Sequence, residues 1–184
     1  MSGARAEGRR KSLRRLVIAA LLLAIGMLLP FLTGQIKEIG DSLLPMHLSV
    51  MLCGLICGWK YGLTVGVMTP LLRSLLFGMP PLYPNAIWML LELATYGFVI
   101  GLLYGNLFKK RFRFVFVSLI AAQLAGRVVW GIAKVALLGV GDNGFTLTAF
   151  LVGGFADALP GILLQWILLP TLIGAIEKIQ RERS

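Results

Sequence analysis

Long apolar runs, broken by short clusters of lysine and arginine, limit what this chain can fold into. From Leu16 to Leu32 there are 17 consecutive residues without a charge. Further runs follow from Pro45 to Cys57, Leu63 to Phe77, Asn85 to Phe108, Phe114 to Leu138 and Leu147 to Ile176. A helix rises about 1.5 Å per residue, so about 20 apolar residues cross a bilayer core. Within lipid the backbone must satisfy its own hydrogen bonds, which leaves helices or closed barrels. Barrel strands alternate apolar with polar residues, and these runs do not. Composition agrees: 58% of residues are hydrophobic and 14% charged, whereas soluble domains carry about a quarter. The chain therefore reads as an all-α polytopic membrane protein, a bundle of six transmembrane helices.

The formal net charge of +10 would suit nucleic acid if it were spread over one surface. Instead 14 of the 18 Lys/Arg flank the apolar runs. They lie in the N-terminal segment, at Lys60, in Lys109–Arg113 and in the C-terminal tail. Basic residues in short segments beside spans mark the cytoplasmic side, so both termini are expected there and no nucleic-acid role follows. The outer segments 33–44, 78–84 and 139–146 hold a single Lys/Arg, Lys37. Residues 1–12 read as a disordered basic tail, 13–178 as one six-helix domain and 179–184 as a charged tail. The first run exceeds the about 7–15 apolar residues of a signal peptide and lacks a small-x-small cleavage site, so it is expected to be retained.

The stretch Arg73–Gly97 stands out as a polar hairpin within these runs. Gly78, Pro80, Pro81 and Pro84 break the helix, and Asn85 is placed to cap the next one. Trp88, Glu92 and Tyr96 then recur at helical spacing on one face. Gln123, Arg127, Trp130 and Lys134 share a face of the fifth helix, and Asp157, Gly161 and Gln165 a face of the sixth. Ionisable residues inside apolar spans are costly and mark functional sites by default. At the rise per residue of a helix, Arg73 and Lys134 lie about 6–8 Å from the outer surface, Glu92 about 10 Å, and Arg127 and Asp157 about 15 Å. The expectation is a cup open to the outside, with Arg73, Asn85, Trp88, Glu92, Arg127, Trp130, Lys134 and Asp157 as candidate ligand contacts. Three cations against two anions would leave a positive charge for an anionic ligand group to balance.

A plainer alternative is a set of internal ion pairs locking the helices, Arg127 with Asp157 for instance. The tryptophans could equally be ordinary membrane tryptophans. Cys53 and Cys57, spaced i, i+4, read as small core side chains, and no metal site follows from them with His47 as the sole histidine. The role of His47, at the start of an apolar helix, stays open between capping, lipid contact and ligand contact. No nucleophile elbow, zinc motif or phosphate-binding loop is present, so no catalytic residue or cofactor is expected.

The chain resembles the S components of energy-coupling factor transporters, most closely in Pro45–Gly66 (PMHLSVMLCGLICGWKYGLTVG) and Thr69–Gly97 (TPLLRSLLFGMPPLYPNAIWMLLELATYG). The resemblance implies a non-enzymatic capture subunit in a prokaryotic plasma membrane, with six helices and cytoplasmic termini. It would take a vitamin or precursor of the pantothenate, pyrimidine, pyridine, riboflavin or folate type. It also implies docking on a transmembrane T component, bound to two ATPases, through a small-residue pair on the first helix that Ala20 and Ala24 match. A membrane enzyme using Glu92 or Asp157, and a non-transporting assembly protein, are the rival readings.

Overall fold

The computed structural model describes residues 2–32, 44–108, 111–139 and 145–182. Among them every regular element is helical. Helix α1 is Ser2–Leu32, α2 Pro45–Cys57, α3 Trp59–Phe77, α4 Ile87–Gly101, α5 Val115–Leu138, α6 Leu147–Leu151 and α7 Leu159–Glu182. The π turns Leu82–Ala86 and Leu102–Leu107 extend α4 at both ends, and Val152–Ala156 links α6 toward α7. Four stretches are long and apolar enough to cross a membrane: Arg5–Phe31, Leu82–Leu107, Phe112–Leu138 and Leu147–Ile179. The apolar α2 is shorter, at 13 residues, and the 19-residue α3 carries Lys60 and Arg73. Apolar side chains such as Leu75, Leu147 and Ile167 stand at least two-thirds exposed, which suits a surface bathed by lipid.

Several boundaries differ from the sequence reading. The segment expected to be disordered is helical from Ser2. Its alanines, arginines and lysine are good helix formers and continue a helix already nucleated in the apolar run. Lys11 pairs with Glu7 at 2.7 Å one turn apart, which holds the Glu7 carboxyl below its usual range. The turn between α2 and α3 is Gly58 alone, at φ +96°, a region L side chains rarely adopt. Gly62 serves packing instead: any Cβ there would run into the Gly97 backbone. Gly66 meets Leu93 and Gly101 meets Trp59 in the same way, so α3 and α4 touch backbone to backbone. Gly105, four residues beyond Gly101, has nothing within 4 Å. The chain has passed into the π turn there, which rotates it off the seam.

Helix α4 sits centrally, packed against α2, α3 and α5. One core cluster joins α1 to α4 through Leu22, Val50, Cys53, Val65 and Leu93, and Cys53 and Cys57, neither in a disulfide, are buried within it. A second joins α2, α4, α5 and α7 through Met51, Leu55, Tyr96, Ile100, Leu119 and Leu169. Helix α3 runs on through Pro70. The long last apolar stretch breaks just before Pro160, as its length suggested, while Pro170 lies inside α7.

Candidate functional site

At the end of the bundle where α2 begins and α5 ends lies a cavity of about 340 Å³. That volume falls at the small end of the about 300–1,000 Å³ typical of small-molecule sites. Helix α2 contributes His47, and α4 with its preceding π turn contributes Asn85, Trp88, Met89 and Glu92. Helix α5 contributes Arg127, Trp130 and Lys134, and the α6–α7 segment Gly153 and Asp157. Leu44 and the residues Met79, Pro80 and Pro81 of the α3–α4 loop complete the lining. The three-, four-residue spacing read from the sequence thus delivers side chains from α4 and α5 to one space.

The floor is an ionic cluster. Arg127 Nη1 donates to Glu92 Oε1 at 2.9 Å, and the Tyr96 hydroxyl donates to the same oxygen at 3.1 Å. Gly126 makes room for this, since any Cβ there would strike the Tyr96 ring. His47 Nε2 stands 3.4 Å from Glu92 Oε1, misaligned for a hydrogen bond, and neither ring nitrogen has a hydrogen-bond partner. Arg127 Nη2 is likewise buried and unbonded. The three contacts to the carboxylate converge on Oε1. Glu92, Arg127 and His47 are each at least 96% buried. In a medium of low dielectric such an ion pair is strong, and each unbonded polar atom is expensive.

One side wall is aromatic. The Lys134 ammonium lies 4.3 Å from the centroid of Trp130, 4.8 Å from that of Trp88 and 5.2 Å from that of Phe145. A cation over an aromatic face is held by the ring quadrupole. Lys134 therefore takes up a face of both tryptophans expected among the ligand contacts. Phe150, seated on Gly131, backs Trp130 from α6.

Several sequence expectations change. Arg73 does not reach the cavity. It is buried between α1 and α3, donates to the Met27 carbonyl at 2.6 Å and lies over the rings of Phe31 and Phe77. Arg127 chooses Glu92 over Asp157, whose exposed side chain makes no ion pair with any described residue. Asn85 lines the cavity without capping α4, because it lies inside a π turn and the residue at the helix boundary is Ala86. With Arg73 removed, the formally charged lining residues among those described are two cations and two anions, so the surplus positive charge disappears. Gln123 and Gln165 pair with each other at 2.9 Å below the floor, and Trp166 donates to Gln123 at 2.8 Å. The outer segment 33–44 lies outside the described residues except for Leu44. His47 was left without a role by the sequence reading. The available signal was its being the sole histidine, at the mouth end of an apolar helix.

Ala20 and Ala24 are both on the exposed face of α1, while Ala19, Leu22 and Gly26 face the bundle. A family model described as "ECF transporter, substrate-specific component" matches residues 14–175. No curated protein and no solved structure matches the chain at a significant level.

Proposed function

The chain belongs to the family of ECF transporter substrate-specific components, and we propose that it captures a small water-soluble vitamin or precursor in the cavity between α2, α4 and α5. A T component and two ATPase subunits would then power its delivery across a prokaryotic plasma membrane. The supporting observation is the composition of the cavity. A polar floor of Glu92, Arg127 and His47 under an aromatic wall is what orients and sequesters a small polar ligand. In this reading the single domain, residues 13–178, crosses the membrane six times with both termini in the cytoplasm. The short α2 fits that topology. Its 13 residues span about 20 Å, and the cavity lies at the end of the bundle where it begins.

Calorimetric titration of the purified full chain tests the reading, with the small molecule recovered after gentle detergent extraction as titrant. Trp88→Ala, Trp130→Ala and Glu92→Gln should each weaken binding at least tenfold, with no chemical turnover of the ligand. Wild-type affinity in all three would move the site elsewhere.

A further inference from the structure

The unbonded atoms of the floor describe the group they are built to receive. Arg127 Nη2 offers hydrogens and has no acceptor, and both nitrogens of His47 are unbonded. Beside them Glu92 lines the cavity as an acceptor, with Tyr96, Arg127 and His47 all facing its Oε1. Buried polar groups are almost always satisfied, so a ligand that supplies an acceptor beside a donor completes this set. Charge sharpens the choice. Glu92 and Arg127 already neutralise each other, and Lys134 with Asp157 leaves the cavity wall formally balanced. A carboxylate or phosphate seated at the floor would lie against the Glu92 carboxylate in a dry site, with Arg127 already engaged.

We infer that the floor formed by His47, Glu92 and Arg127 binds an uncharged amide-type edge, a carbonyl next to an N–H as in a carboxamide, lactam or ureide. The carbonyl oxygen accepts from Arg127 and His47, and the N–H donates to Glu92. His47 thereby joins the binding residues. This inference rests on the cavity being the ligand site and adds to it the chemical class of the ligand's inner end.

Matched probes that differ by one group test it. The full chain in detergent is titrated with nicotinamide against nicotinate, uracil against orotate, and panthenol against pantothenate, together with the co-purified molecule. The uncharged member of every pair that binds should bind at least tenfold tighter than the anion. His47→Leu should lose about tenfold in affinity for that probe and His47→Gln should retain most of it, with thermal unfolding within a few degrees of wild type in both. Tighter binding of the anions, or a His47→Leu variant that unfolds earlier yet keeps its affinity, would overturn the inference while leaving the cavity as the site. If neither the probes nor any co-purified molecule binds, the capture reading falls and the inference with it.

Discussion

Arg127 reaches across from α5 to donate to Glu92 on α4 over 2.9 Å, at a depth where both side chains are almost wholly buried. The pair fixes the separation of the two helices at the floor of the cavity and leaves Arg127 Nη2 unbonded. It also has energetic consequences. Removing one partner strands the other's charge, at a cost of about 3–5 kcal/mol. Arg127→Gln is therefore expected to unfold several degrees below wild type, and the paired Glu92→Gln/Arg127→Gln variant to recover part of that loss. Asp157→Asn, altering an exposed carboxylate with no ion pair among the described residues, should shift stability by no more than about 0.5 kcal/mol. Thermal unfolding of the four proteins in one detergent checks this. A large loss for Asp157→Asn would restore the Arg127–Asp157 pairing of the alternative sequence reading.

Arg73 offers the complementary case. It ties the Met27 carbonyl of α1 to α3 and lies outside the cavity. Arg73→Met should lower the melting temperature, since the carbonyl loses a charge-assisted bond of about 1.5–3 kcal/mol. Ligand affinity should stay within about twofold of wild type. An affinity loss with unchanged melting would place Arg73 in the site.

The α3–α4 seam can be probed at two glycines of one helical stretch. Gly97→Val forces a side chain into the Gly62 backbone, and overpacking of this kind costs about 1–3 kcal/mol or more. Gly105→Ala enters open space and should be neutral or stabilising by about 0.5–1 kcal/mol. Equal effects at the two positions in a denaturation series would contradict the close backbone approach.

Ala20 and Ala24 are exposed on α1, so bulk there leaves the bundle intact. Ala20→Trp and Ala24→Trp should abolish uptake and co-purification with the T component, because a large side chain prevents close helix approach. Melting temperature and ligand affinity of the isolated chain should not change. Normal uptake by both variants would reject this face as the docking surface.

The 14 flanking cations are the basis of the proposed membrane orientation. With Cys53 and Cys57 replaced, a cysteine at Arg111 should resist a membrane-impermeant thiol reagent in intact cells, and one at Asp142 should react. The opposite pattern would invert the topology.

Much of this protein was legible before any coordinates. The apolar runs determine that it is helical and membrane-embedded, because lipid leaves the backbone no other partner. The helical period places Trp88, Glu92 and Tyr96 on one face, and Arg127, Trp130 and Lys134 on another, by backbone geometry alone. Periodicity cannot say how each helix is rotated against its neighbours, nor which neighbour it meets. Equal depth made Asp157 a reasonable partner for Arg127, yet the glycine seam and the packing of Tyr96 on Gly126 turn Glu92 toward it instead. The same rotation sends Arg73 to α1 and brings His47, some 45 residues earlier in the chain, to 3.4 Å from Glu92. Those contacts are long-range and set by side-chain volume at the helix crossings, so only the tertiary structure decides them.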